Sequence, residues 1–194
     1  MNEMSEVKNI LLVGVGGQGT ILVGKILSEG LAAAGYDVKM SEVHGMAQRG
    51  GSVSTQVRYG EKVHSPIIGK GQADILVAFE TMEALRWLEY LKPDGKAVVN
   101  DYQIPSAPIL IGKQDYPSGV LELIREKVDT TVIRAAAIAD ELGNGKVMNV
   151  VLFGALVKAM KLTHIDWEAV IRSHVKDSLV DVNIRALQAG LQIV

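Results

Sequence analysis

The segment Gly14-Val15-Gly16-Gly17-Gln18-Gly19 stands between an apolar run over residues 9–13 and a long amphipathic stretch. This order predicts a buried strand, a tight glycine turn and a helix. Gly14, Gly16 and Gly19 fit the G-x-G-x-x-G pattern, in which glycines allow the tight turn, a close approach of the backbone to a phosphate, and close packing of the helix. The start of such a helix offers unpaired N–H groups and the positive end of a dipole to an anion.

Hydrophobic periodicity extends this unit into an α/β fold. We expect a doubly wound, Rossmann-like, three-layer arrangement with a mixed, mostly parallel sheet, an antiparallel hairpin and a helical C-terminal third, forming a single domain over residues 1–194. Smaller predictions are a return strand over residues 62–65 after a Gly60-Glu61 turn, a turn at residues 93–95, and a capping box at residues 163–166. The pattern predicts strands over residues 9–13, 36–42, 52–59, 74–79, 97–100 and 130–133, and helices over residues 17–34, 82–90, 120–128, 135–142, 147–160, 167–176 and 179–189.

Composition excludes several classes of function. The 20 basic and 22 acidic residues give a formal net charge of −2, which argues against general nucleic-acid binding. No apolar run approaches the ~20 residues that a membrane helix needs, and the N-terminus lacks the layout of a signal peptide, so we expect a cytoplasmic protein without membrane contact. The chain has no cysteine, which excludes thiolate catalysis and cysteine-held iron–sulfur clusters.

The second candidate site is the glycine-rich stretch from Val43 to Gly51, which fits neither a helical nor a strand period. Arg49, between Gln48 and the Gly50-Gly51 pair, has a guanidinium that suits a phosphate or a carboxylate. An arginine that pairs with an acid on a partner chain is the competing interpretation. His44 is a candidate contact to an anion or a carbonyl group.

Other chemistry finds little support in the sequence. The stretch from Gly19 to Ile26 matches a P-loop except at Ile26, where Ser or Thr should bind magnesium, so we reject an ATPase. The histidines form no H-E-x-x-H motif, and no G-x-S-x-G elbow is present. We therefore expect neither a catalytic residue nor a metal ligand in this chain. Glu42, at the end of the second predicted strand, has the position of a ribose-binding acid in dinucleotide enzymes.

Three segments together resemble the small (beta or gamma) subunit of the 2-oxoacid:ferredoxin oxidoreductases. They are the glycine turn, the stretch Ser41-Glu42-Val43-His44-Gly45-Met46-Ala47-Gln48-Arg49-Gly50-Gly51, and Leu142-Gly143-Asn144 leading to Asn149 and Gly154-Ala155-Leu156. The H-G-M-A-Q-R-G-G form is most similar to the indolepyruvate type. The resemblance extends from Asn9 to about Gly190.

The resemblance implies an accessory subunit of an enzyme that oxidatively decarboxylates a 2-oxo acid, such as indolepyruvate, to an acyl-CoA. Thiamine diphosphate with magnesium, iron–sulfur clusters and coenzyme A are then cofactors of the holoenzyme, none of them held by this chain, and the partners are a large (alpha) subunit and, through the holoenzyme, ferredoxin. We expect the two glycine loops to contact the cofactor or the partner chain, with an isolated chain that can form a homodimer. The expected contact residues are Gly14, Gly16, Gly17, Gln18, Gly19, His44, Gln48, Arg49, Gly50 and Gly51.

Two other interpretations stay open. One is a free-standing dinucleotide-binding oxidoreductase that uses Glu42 on the ribose, although no second domain with an obvious general acid is readable. The other is an interaction module that binds no ligand. Titration with NAD(H) separates the dinucleotide-binding enzyme from the other two interpretations. Co-purification with a large cysteine-rich chain separates the accessory subunit from the interaction module.

Overall fold

A computed structural model of the chain describes residues 6–44 and 50–193. Its centre is a mixed six-stranded sheet in the order β2-β3-β1-β4-β5-β6, in which β3 is antiparallel to both of its neighbours and the other pairs are parallel. The strands are β1 (Lys8–Val15), β2 (Asp37–His44), β3 (Ser52–Gly60), β4 (Ala73–Ala78), β5 (Leu91–Asn100) and β6 (Asp129–Ile133).

Helices cover both faces of the sheet and make the three layers of the predicted fold. In the described residues the helices are α1 (Thr20–Ala33), α2 (Thr81–Trp87), α3 (Ala107–Leu110), α4 (Val120–Lys127), α5 (Ala135–Glu141), α6 (Met148–Ala159), α7 (Trp167–His174) and α8 (Asp177–Leu191). Two 3₁₀ turns, Leu88–Tyr90 and Gly145–Val147, extend α2 and precede α6. None of these helices is both long and apolar enough to cross a membrane.

Alternating side chains divide the core into two hydrophobic clusters. On β1, Ile10 and Leu12 pack towards α1, α6, α7 and α8, whereas Leu11 and Val13 pack towards α2 and α4. Helix α6 is the most buried helix, since every residue from Asn149 to Val157 is shielded from solvent. The larger cluster therefore anchors the helical C-terminal third against the sheet.

Glycines set the closest helix contacts in this cluster. A Cβ on Gly190 of α8 would stand only 2.9 Å from the Cα of Gly154 in α6, and a Cβ on Gly30 of α1 would stand 2.8 Å from two ring carbons of Trp167. The two helix pairs approach so closely because these positions carry no side chain.

The predicted helices lie where the periodicity places them and so do the strands, except for one; the short helix α3 is an addition that the periodicity does not predict, and three local predictions need correction. The return strand over residues 62–65 is wrong, because both edges of β3 are already paired with β1 and β2. Residues 93–95 form no separate turn but lie within β5, in a bulge where the four residues 92–95 stand opposite Asp74 of β4 and which accommodates Pro93. The cap of α7 is Asp166, which accepts from the Ala169 N–H, and not a box that begins at Thr163.

A further correction concerns the two strands of the predicted β-α-β unit. β1 and β2 are parallel in direction but are not neighbours, because β3 lies between them. The antiparallel hairpin of the fold therefore consists of β2 and β3. At a strand spacing of about 4.8 Å, the ends of β1 and β2 lie about 10 Å apart.

Candidate functional site

The glycine turn connects the end of β1 to the start of α1 at the carboxyl edge of the parallel strands. Gly17 has φ +104° and Gly19 has φ +84°, values that L-residues rarely adopt. Gly19 caps α1 without a side-chain hydrogen bond, and the first turn of α1 has no acidic residue. The N–H groups of the first turn and the positive dipole end of α1 therefore face this edge without a side-chain cap.

The Gln18 side chain holds this turn in shape. Its Oε1 accepts from the Val15 N–H at 2.8 Å, and its Nε2 donates to the Phe79 carbonyl at 2.8 Å. A Cβ on Gly14 would come within 2.9 Å of the same Oε1, so the first glycine makes room for the Gln18 amide. Both amide atoms of Gln18 are thus engaged by the protein itself, which makes Gln18 a residue that positions the turn.

The base of the second glycine loop is hydrogen-bonded to the first. The Gly16 N–H donates to the Gly51 carbonyl at 2.8 Å, and the Gly50 N–H donates to the Gly16 carbonyl at 3.4 Å. Because β3 is antiparallel, its first residue, Ser52, lies at the same edge of the sheet as the end of β1. The structure thereby brings Gly16, Gly17 and Gly19 together with Gly50 and Gly51, while Gln48 and Arg49 lie outside the described residues.

A cleft of about 370 Å³ opens beside the two loops. Its floor and walls come from the glycine turn, the start of α1, the end of β2 and the start of β3. This volume is at the lower end of the range for ligand sites in proteins, ~300–1,000 Å³. The lining residues are Gly16, Gly17, Gly19, Thr20, Ile21, His44 and Val53.

Glu42 lies on β2, the strand that is not adjacent to β1 in the sheet. In a dinucleotide site, the acidic residue follows a strand adjacent to β1, whereas Glu42 is on β2, one strand further away. Its Oε1 is buried without a hydrogen bond in the described part of the chain. The order of the strands therefore counts against a ribose contact of the dinucleotide type.

Asn149, which enters the sequence prediction only within the third segment of the family resemblance and not as a contact residue, is a polar residue at this site. It lies in the first turn of α6, is 6 % exposed, and makes no hydrogen bond through its side chain within the described residues. A Cβ on Gly19 would overlap Asn149 Nδ2 and stand 3.2 Å from its Cγ. The third glycine of the motif thus accommodates an amide of α6, which leaves that amide beside the open N-terminus of α1.

A second buried amide joins three elements at the same edge. Asn100, at the end of β5, is fully buried; its Nδ2 donates to the Phe79 carbonyl at 3.1 Å, and its Oδ1 accepts from the Ala135 N–H at 3.0 Å. The Phe79 carbonyl accordingly accepts from both Gln18 and Asn100. These bonds connect the glycine turn to the starts of α2 and α5.

The described residues contain no group of three or more His, Asp or Glu side chains that could hold a metal ion. His64, His164 and His174 are apart from the cleft, and His174 pairs with Glu29 at 3.3 Å. What the described residues of this edge offer chemically is backbone N–H groups, the Asn149 amide and the His44 imidazole, a set that binds and orients other groups.

Comparison with known proteins agrees with this geometry. Residues 9–193 match the family model described as pyruvate ferredoxin/flavodoxin oxidoreductase. The chain is 37 % identical over 192 residues to the indolepyruvate oxidoreductase subunit IorB of Pyrococcus horikoshii, covering 95 % of this chain and 94 % of that protein. It is 30 % identical over 200 residues to the 2-oxoglutarate synthase subunit KorC of Methanothermobacter marburgensis, covering 96 % of each chain.

A solved structure shares the fold. The gamma subunit of a keto/oxoacid ferredoxin oxidoreductase from Geobacter sulfurreducens superposes with a TM-score of 0.74 at 25 % identity, over 97 % of each chain. The chain therefore belongs to the pyruvate ferredoxin/flavodoxin oxidoreductase family, as a small subunit of the beta or gamma type.

Proposed function

We propose that this chain is the accessory subunit of an indolepyruvate-type 2-oxoacid:ferredoxin oxidoreductase. Thiamine diphosphate and the iron–sulfur clusters of a large partner subunit supply the chemistry, with electrons passing to ferredoxin and the acyl group to coenzyme A. The observation that supports this role best is that backbone hydrogen bonds join the two glycine loops at one edge of the sheet, in a chain that has no cysteine. Such an edge suits the contact with a partner that holds the cofactors.

The cleft beside the loops is the proposed point of contact. The uncapped start of α1 attracts an oxyanion, and the unpartnered Asn149 amide lies against it. A phosphate group of a cofactor or a carboxylate of the partner chain can accept hydrogen bonds both from the N–H groups at the start of α1 and from the Asn149 amide. In this proposal His44 and Arg49 approach the same group from the second loop.

Exposed apolar side chains at the same edge support a large partner. Leu110 and Ile111 are 73 % and 67 % exposed, in an excursion over residues 101–119 that leaves the carboxyl edge after β5 and returns to it before α4. Large apolar side chains grouped on a surface are typical of protein interfaces. The exposed apolar residues near this edge are Ile21, Val43, Tyr102, Leu110 and Ile111.

Alanine at Arg49 tests the contact in the co-expressed complex. We expect Arg49→Ala to lower turnover with indolepyruvate or to weaken assembly, because the anionic group loses its guanidinium partner. Arg125→Ala is the matched control, since Arg125 is an exposed residue in the last turn of α4, away from the cleft. Unchanged turnover together with unchanged assembly would refute the contact.

A charge change at Asn149 separates a cofactor from a partner carboxylate. Asn149→Asp places a negative group beside the start of α1, so any anion there is repelled. A higher KM for coenzyme A with intact assembly would identify the anion as that cofactor, whereas loss of assembly would identify a partner carboxylate. Asn183→Asp is the control, because Asn183 is equally buried but bonded to the Leu179 carbonyl within α8.

The substrate follows from the relatives and not from a pocket in this chain. Indolepyruvate is the first choice because IorB is more similar to this chain than KorC, at 37 % against 30 % identity. Assay of the complex with indolepyruvate and 2-oxoglutarate decides between the two. A cytoplasmic location, and a homodimer of the isolated chain that size-exclusion chromatography detects, belong to the same proposal.

The competing function is a free-standing dinucleotide-binding oxidoreductase. Titration of the isolated chain with NAD(H) tests it, because a functional site binds well below ~1 mM, or ~4 kcal/mol. Binding in that range, without a large partner in pull-downs from the native host, would favour the dinucleotide enzyme over the accessory subunit.

A further inference from the structure

The first turn of α2 and its N-cap carry two buried carboxyl groups, three residues apart in the chain. Glu80, the N-cap, is 1 % exposed, and Glu83 is 3 % exposed. Burial of a carboxylate is costly unless hydrogen-bond donors surround it. The donors to these two groups come from different parts of the chain, and they show what the pair holds together.

Glu80 binds the excursion over residues 101–119. Its Oε2 accepts from the Glu83 N–H at 2.9 Å, and its Oε1 accepts from the Ile104 N–H at 3.2 Å and from the Tyr116 hydroxyl. The Tyr116 hydroxyl also accepts from the Met82 N–H at 3.0 Å. Burial and the neighbouring carboxylate raise the pKa of Tyr116 well above its usual range, so this phenol stays a donor. Both ends of the excursion are thereby fixed to α2.

Glu83 binds the base of the second glycine loop. Its Oε2 accepts from the Ser52 hydroxyl, and its Oε1 accepts from Arg86 Nη1 at 3.2 Å. Ser52 follows Gly51, whose carbonyl accepts from the Gly16 N–H. One hydroxyl–carboxylate bond thus connects α2 to the point where the two glycine loops meet.

We propose that the first turn of α2 positions both segments relative to each other, with Glu83 as the positioning residue for the glycine loop through Ser52. The two segments lie at the edge proposed to meet the partner, so the consequence for turnover rests on the proposed function. The effect on the loop does not, because it can be measured on the isolated chain. A merely structural role for Ser52 would lower stability without a specific change at the loop.

Trypsin cleavage after Arg49 measures the position of the loop directly. In the isolated full-length chain we expect Ser52→Ala to lower Tm and to raise the cleavage rate at Arg49 about tenfold, well beyond the change at the other tryptic sites, since a hydrogen bond to a charged group is lost at the base of this loop. Ser54→Ala is the matched control on the same face of β3, because the Ser54 hydroxyl is buried without a partner. Fragment masses distinguish this site from the others. Equal cleavage of the two variants would overturn the proposal.

The conservative variant and the complex complete the test. Glu83→Gln keeps an oxygen that accepts from Ser52, so we expect its cleavage rate to stay near that of the wild type, whereas Glu83→Ala matches Ser52→Ala. In the co-expressed complex, Ser52→Ala should lower turnover severalfold with assembly retained. Faster cleavage at Arg49 with unchanged turnover would support the positioning of the loop by Glu83 and contradict the proposed role of the loop in turnover. A failure of the positioning proposal can therefore be told apart from a failure of the proposed function.

Discussion

The contact between Gly19 and Asn149 gives a quantitative test of the site, through alanine at two glycines of the same turn. Gly17 and Gly19 both have positive φ, of +104° and +84°. A Cβ on Gly17 would meet nothing within 4 Å, whereas a Cβ on Gly19 would overlap the amide of Asn149 and stand 3.5 Å from its Cβ. Gly17→Ala thus measures backbone strain alone, and Gly19→Ala measures strain plus the contact.

The expected losses follow from these two terms. A left-handed conformation costs an L-residue ~1–2 kcal/mol, offset by ~0.4–1 kcal/mol from the reduced entropy of the unfolded chain. We therefore expect Gly17→Ala to lower the free energy of unfolding by about 1 kcal/mol. Gly19→Ala adds an overlap that the buried Asn149 cannot avoid easily, at ~1–3 kcal/mol. The predicted difference between the variants is that second term.

Urea denaturation of the full-length chain measures both losses, and a double-mutant cycle assigns the difference. In an Asn149→Ala background the overlap disappears, so Gly19→Ala should then lose no more than Gly17→Ala. Equal losses for the two glycine variants in the wild-type background would refute the reasoning. So would a Gly19→Ala loss that persists unchanged without the Asn149 amide, because the strain would then have another source.

Three further predictions concern the parts that hold this edge. Gly190→Ala should lower the free energy of unfolding by ~1–3 kcal/mol in urea, because the overlap of its Cβ with the Val151 carbonyl outweighs the gain in helix propensity of ~1 kcal/mol; greater stability would contradict the close contact of α6 and α8. Tyr116→Phe removes a donor to Glu80 and should cost ~1–3 kcal/mol in the same assay, and no loss would mean that the carboxylate is satisfied without it. Burial raises the pKa of Glu83 above the ordinary glutamate value of 4.5, so wild-type stability should fall as the pH rises above 4.5. Glu83→Gln should lack this part of the pH dependence, and parallel curves of Tm against pH for the two proteins would contradict the raised pKa.

The sequence predicts the elements of this fold well because their signals are local. The apolar run of β1, the turn of Gly16 to Gly19 and the amphipathic pattern of α1 lie within one stretch of chain. Turn signals hold where no distant strand competes for the same residues, whereas the cap of α7 lies at Asp166 and not at Thr163. The prediction of a separate turn at residues 93–95 fails because Leu91 and Lys96 on either side pair with β4, so the residues between them form a bulge within β5.

The order of the strands and the partners of the amides are not local, and the sequence does not reveal them. Nothing in the alternation of β3 distinguishes a strand between β1 and β2 from one in a separate hairpin. Gln18 appears in the motif as a candidate ligand contact, yet its partner Phe79 is 61 residues away. Asn149 lies in a strongly apolar helix, and its place beside Gly19 follows only from the packing of α6 on the sheet.

The insertion of β3 explains how a nucleotide-type turn can belong to an accessory subunit. In the dinucleotide arrangement, the strand beside β1 ends in an acid that receives the ribose. Here that position is taken by the start of β3, and the carbonyl of Gly51, the residue before β3, accepts from the Gly16 N–H. The second glycine loop therefore enters the site from the side where the ribose would lie, and the acid on β2 is moved away. What remains is a helix N-terminus for one anionic group, bordered by a loop and by exposed apolar side chains, which is the form expected of a surface completed by a partner.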